Sequence, residues 1–90
     1  MTEAEKKNKK MQLLMKFALE TLDTVNAGLS DGALLDFVER LVGEHLTVGD
    51  RSELKRRLLD KEWIMDYTDK LTDEVKYCIT QQGRLAMVAL

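Results

Sequence analysis

Ninety residues are enough for one domain with a modest core, and 14 basic against 16 acidic side chains leave a formal net charge of -2. That balance excludes a protein that coats nucleic acid by bulk charge. A single cysteine excludes an internal disulfide, and one cysteine with one histidine supplies too few soft ligands for structural zinc. No apolar run is long enough to span a bilayer, and Lys16 and Glu20 break the first apolar cluster, so no signal peptide or membrane contact is read and a cytoplasmic protein is expected.

Residues 1–10, "MTEAEKKNKK", read either as a charged N-terminal extension or as the start of the first helix, and residues 11–90 as one domain. Met11, Met15, Ala18, Leu22, Val25 and Leu29 alternate spacings of four and three, which predicts an amphipathic helix. Leu14 and Phe17 widen its apolar stripe, and Gly28 is a natural stop. So wide a face either packs in its own core or extends into a seam between subunits.

A second helix is expected over "SDGALLDFVERLVG", capped by Ser30 or Asp31 and leaving at Gly43. Leu34, Val38 and Leu41 share its inward face, with Leu35, Phe37 and Val42 beside them. In "EHLTVGD", Leu46 and Val48 alternate with polar residues, so a very short strand or a pinned loop is expected there. The third helix reads as "RSELKRRLLDKEW", with Asp50 and Glu53 at capping-box spacing and Leu54, Leu58 and Leu59 inward.

Periodicity then changes. "WIMDY" and "VKYCIT" predict two short strands joined through the acidic segment "TDKLTDE". Cys78 falls in the second strand and reads as a buried thiol. Thr80 can cap a last helix through "QQGRLAMVAL", and Gly83 in its first turn implies close packing against another element.

The fold class expected is therefore α+β: three helices, a two-stranded hairpin and a C-terminal helix. This order, with "LKRRLLDKEWI" and the ending Tyr77, Ile79, Thr80, Gly83 and Arg84, resembles the winged helix-turn-helix superfamily. It is similar to small regulators of the PadR and MarR groups. The resemblance implies a hairpin that serves as a wing and a third helix that enters the DNA major groove. It also marks a departure: Trp63 stands where many members carry glycine, so the indole either packs against the wing or first helix or is presented to a partner.

On that reading the DNA-binding candidates are Arg51, Ser52, Lys55, Arg56, Arg57 and Lys61. Arg56 and Arg57 are the main ones, because the arginine fork matches guanine edges and phosphates. The lysines suit point contacts to the backbone, and Ser52 a phosphate or base edge. Glu53 and Asp60 on the same surface would be repelled by phosphate. The tip carries Asp69, Lys70, Asp73 and Glu74, with Asp66 just before them, which makes the wing electrostatically poor for phosphate: either it does not grip DNA or it does something else, such as contact a protein. Arg84 reaches either a phosphate or a wing acid.

His45 beside Glu44 has no third catalytic partner in sequence, and there is no phosphate-cradling glycine loop, so neither an enzyme nor a cofactor is expected. The apolar last helix, with Leu85, Met87, Val88 and Leu90, either closes the core or pairs with the first helix of another subunit. Two functions follow: a transcriptional regulator that binds double-stranded DNA as a homodimer through its first and last helices, or a non-enzymatic adaptor that kept the scaffold.

Overall fold

The computed structural model describes residues 2–25 and 28–90. Its order is α1 (Glu3–Thr24), β1 (Leu29–Ser30), α2 (Asp31–Val42), α3 (Val48–Asp60), β2 (Ile64–Thr68), β3 (Val75–Ile79) and α4 (Gln81–Ala89). This is the winged helix-turn-helix architecture: three helices, a two-stranded wing formed by β2 and β3, and a closing helix.

The charged N-terminal segment is helical from Glu3, where the Thr2 hydroxyl accepts from the Glu5 amide and Glu3 and Glu5 sit in the acid-favouring first turn. The helix ends at Thr24, earlier than Gly28; Val25 is already extended. Leu29, expected on its apolar stripe, instead opens β1, and residues 26 and 27 of the expected helix lie outside the described residues. Gly28 has a positive φ of 75° and a position against the sheet, where a Cβ would meet the Tyr67 hydroxyl at 2.6 Å and the Tyr77 carbonyl at 3.0 Å.

β1 adds a third strand to the wing. The sheet order is β1-β3-β2, all antiparallel, with Leu29 opposite Tyr77 and Ile64 opposite Ile79. Ser30 both closes β1 and caps α2, accepting from the Ala33 amide. Gly43 ends α2 in the left-handed region, as expected.

The core lies where α1, α2, α3 and the wing base meet. Leu14, Ala18, Leu19, Val38, Leu54 and Leu58 have no exposed surface, and Leu46 anchors the α2–α3 connection, which holds no strand among the described residues. Two residues of α2 depart from expectation. Phe37 and Leu41 are 42% and 53% exposed, so the inward face of α2 is narrower than its apolar spacing. Leu59 is half-buried at the core edge.

α3 begins three residues before Arg51. Thr47, not Asp50, is its cap and accepts from the Asp50 amide at 3.0 Å. It ends at Asp60 rather than Trp63, in a Schellman turn: the Glu62 and Trp63 amides donate to the Leu59 and Leu58 carbonyls, and Glu62 takes φ 59° where glycine is usual.

Two carbonyls from that turn hold the start of α4. The Thr80 amide donates to the Trp63 carbonyl at 3.0 Å, and the Thr80 hydroxyl donates to the Glu62 carbonyl at 2.6 Å. The same hydroxyl accepts from the Gly83 amide and caps α4. A Cβ on Gly83 would lie 2.1 Å from the Trp63 carbonyl oxygen, which is why this position is bare. Trp63 itself is half-buried against the core, with the Lys61 ammonium 5.1 Å from its ring centre.

Candidate nucleic-acid interface

α3 presents two kinds of surface. Leu54 and Leu58 are fully buried, and the side opposite them carries Gly49, Ser52, Arg56 and Asp60, all exposed. Val48, in the first turn, is 82% exposed. Along a helix with 3.6 residues per turn, Gly49, Ser52 and Arg56 form one uncovered stripe. Gly49 leaves that stripe bare near its N-terminal end, where only the Thr47 hydroxyl comes within 4 Å of a built Cβ.

The six candidate residues do not act as one group. Ser52 and Arg56 lie on the uncovered stripe; Arg56 contacts the Asp60 carboxylate at 3.0 Å, one turn along, and remains 62% exposed. Arg51 turns back to α2, where its guanidinium pairs with Glu39 and lies 3.5 Å from Asp36. Lys55 reaches Asp31 at the start of α2, 3.4 Å away. These two cations therefore tie α3 to α2 across the helix-turn-helix. Arg57, expected outward with Arg56, turns to α1: it lies 3.7 Å from Glu53 and donates to the Asn8 side chain at 3.4 Å. Lys61 lies over the Trp63 ring beyond the helix end.

The acids redistribute similarly. Glu53, expected to face the duplex, is instead partly buried between Arg57 and Lys7 of α1. Lys10 binds Glu44 at 2.6 Å and lies 3.9 Å from Asp50, and the Glu44 hydrogen bond raises its pKa. The N-terminal lysines thus offset acids on the flank of α3. Asp60 remains on the exposed face.

The wing tip is separate in character. Asp69 closes it: its amide donates to the Glu74 carbonyl, its carboxylate accepts from the Leu71 amide and pairs with Lys76 at 2.8 Å. The Lys76 ammonium and the Leu71 amide hold the Asp69 carboxyl below its ordinary value, and Asp69 raises Lys76. Asp73 takes a left-handed φ of 62°. Asp66, Asp73 and Glu74 have no ion-pair partner among the described residues, and Leu71 is 96% exposed. Arg84 pairs with Asp23 of α1 at 3.0 Å rather than with a wing acid.

Cys78 is half-buried on the wing rather than enclosed in the core. His45 is exposed and contacts Glu39, not Glu44, at 2.8 Å. Among the described residues no three metal-ligating side chains are placed to share an ion, and no helix is long and apolar enough to cross a membrane. Sequence reasoning missed Val48 and Gly49 because it started α3 at Arg51. The available signal was Thr47 with Asp50 three residues later, a cap spacing overlapped by that of Asp50 and Glu53.

No family model and no curated protein matches the chain. Among solved structures, the fold matches the "S. aureus MepR-DNA complex" with a TM-score of 0.61 at 20% identity, covering 94% of this chain and 61% of that one. The likeness establishes the winged helix-turn-helix fold. The chain spans about three fifths of the length of the protein it matches.

Proposed function

We propose that this chain is a sequence-specific DNA-binding transcriptional regulator, cytoplasmic, that acts as a small homodimer through α1 and α4 and is related to the MarR group. The observation that carries the reading is the uncovered Gly49–Ser52–Arg56 stripe on the third helix of a fold also found in a protein–DNA complex. In the major groove, Arg56 exchanges Asp60 for a guanine edge, Ser52 meets a base edge or phosphate, and Val48 supplies apolar contact to a thymine methyl. Lys55 and Lys61 lie at the margins and meet phosphates, Lys55 by exchanging its 3.4 Å pair with Asp31 for one. Arg51 and Arg57, held by acids of α2 and α3, hold the helix in place and contribute mainly through their charge.

Few cations are free for phosphate, so this reading has a quantitative signature. Two lysine contacts per protomer give a slope of log affinity against log salt of about -4 per dimer. Fluorescence anisotropy with mixed duplexes across a salt series measures it. Saturable binding at low salt with that shallow slope is expected; no binding at low salt, with the protein folded, sinks the reading.

A specific observation favours a second reading, an adaptor that docks a basic protein surface with its wing. The tip carries Asp73 and Glu74, without ion-pair partners among the described residues, beside an exposed Lys70 and a fully presented Leu71, and Asp66 lies further down β2. On this alternative, duplex binding is absent and charge reversal at the tip abolishes partner capture.

A further inference from the structure

The outward side of α1 is exposed at Gln12 and Leu13 and half-buried at Lys16 and Glu20, and the helices on both its flanks bring apolar side chains to its borders, with Arg40 among those of α2. α4 runs antiparallel to α1 on one flank: Arg84 pairs with Asp23, while Ala89 and Leu90 lie beside Gln12 and Leu13. α2 lies on the other flank, leaving an open cleft of about 510 Å³ lined by Glu20, Thr21, Thr24 and Val25 of the α1 end and by Phe37, Arg40 and Leu41 of α2, with the Arg40 guanidinium 5.5 Å from the centre of the Phe37 ring. Leu13, Phe37, Leu41, Leu85 and Val88 are 45%, 42%, 53%, 68% and 83% exposed across these three helices. A shared apolar surface of this kind marks an interaction site.

Charge chooses its occupant. Lys16 and Glu20 lie one turn apart on the outward side of α1, and neither has an ion pair among the described residues; nor do Glu3, Glu5, Lys6 and Lys9 nearer the helix start, whereas Lys7, Lys10 and Asp23 are paired. Lys16 and Glu20 stand about 3 Å along the axis on either side of the level of Ala18. A two-fold at that level, relating antiparallel α1 helices, therefore sets each Lys16 against the second copy's Glu20, twice. A parallel pair would set Lys16 against Lys16. The same antiparallel two-fold brings Leu13 level with the second copy's Asp23, beside its Thr21–Thr24–Phe37–Leu41 cleft.

We propose that a second copy of this chain packs its α1 antiparallel across α1, with paired Lys16–Glu20 bridges flanking the two-fold and each Leu13 entering the cleft between α1 and α2 of the other copy. This gives the exposed Phe37 and Leu41 a role that an α1–α4 seam alone leaves unused. The proposal rests on the dimeric reading above and is independent of DNA binding.

Sedimentation equilibrium of the full chain tests it, using wild type, Lys16→Glu, Glu20→Lys, the double exchange and Leu13→Asp, each checked for native circular dichroism. Each single charge change creates two like-charge contacts and is expected to weaken the dimer by roughly tenfold or more. The double exchange restores it, and Leu13→Asp dissociates it. A wild type that is monomeric at micromolar concentration overturns the dimeric reading itself. A wild-type dimer that is indifferent to any one of these single changes, or that the double exchange fails to restore, overturns this arrangement while leaving dimerisation standing.

Discussion

The two ends of the wing are built on different physics. At its base, Gly83, Thr80 and Trp63 meet through backbone atoms at fixed separations, so shape decides which residue is allowed. At its tip, Asp69 and Lys76 hold a polar turn by charge, while Leu71 projects into solvent. The base is intolerant of change and sets the fold. The tip leaves Leu71 with almost no packing to lose. A feature that fixes architecture therefore says little about function, even one hairpin length away.

The largest test of this contrast is Gly83→Ala. Its methyl would collide with the Trp63 carbonyl, which belongs to backbone and cannot swing aside. Loss of about 3 kcal/mol in urea unfolding is expected. Unchanged stability would mean that the base is looser than its geometry implies. Next, Thr80→Ala removes the cap of α4 and the bond to the Glu62 carbonyl together, for an expected loss of ~1–2 kcal/mol by the same measurement.

Glu62→Gly runs in the opposite direction. Glu62 holds the left-handed position of the turn between α3 and β2, where the main-chain bonds need no side chain. A gain of ~0.5–1 kcal/mol in thermal unfolding is expected.

The smallest effects belong to the tip. Leu71→Ser should change global stability by less than ~0.5 kcal/mol, because almost none of that side chain is buried. The tip should also respond locally to pH. The Asp69 carboxyl is depressed below its ordinary 3.8, so its contribution is present above that value and is lost as pH falls through the lowered folded value. Lys76 is raised above 10.5, so its contribution is present below that value and is lost as pH rises through the folded one. Hydrogen exchange should show the Leu71 amide protected between those limits and released in acid, with the Thr80 and Gly83 amides unaffected over the same steps.

The base was legible in the sequence because its constraints are local. Thr80 three residues before Gly83 announces a capped helix, and a glycine in the first turn announces a close neighbour. β1 was not legible: Leu29 and Ser30 are a strand only because β3 lies beside them, and two residues carry no period. The spacing of Phe37 and Leu41 predicts a place on the inward side of α2, yet both are exposed, because apolar spacing does not say which surface does the covering. The candidate site was half legible. Residue type and helix phase placed Ser52 and Arg56 outward, but the phase could not reveal that Arg51 pairs with α2 or that Glu53 and Arg57 turn toward α1, since those partners lie distant in sequence. The departure read at Trp63 also resolves: the position that needs a left-handed backbone is Glu62, one residue earlier.

The central claim is that α3, rather than the wing, meets the partner, and that the partner is duplex DNA. The most direct measurement is titration of the isotopically labelled chain with a duplex while following each backbone amide by nuclear magnetic resonance. The account predicts shifts concentrated at Val48, Gly49, Ser52 and Arg56, with residues 69–74 unmoved. Shifts confined to the acidic tip, or no shifts with duplex in excess at low salt, would contradict it.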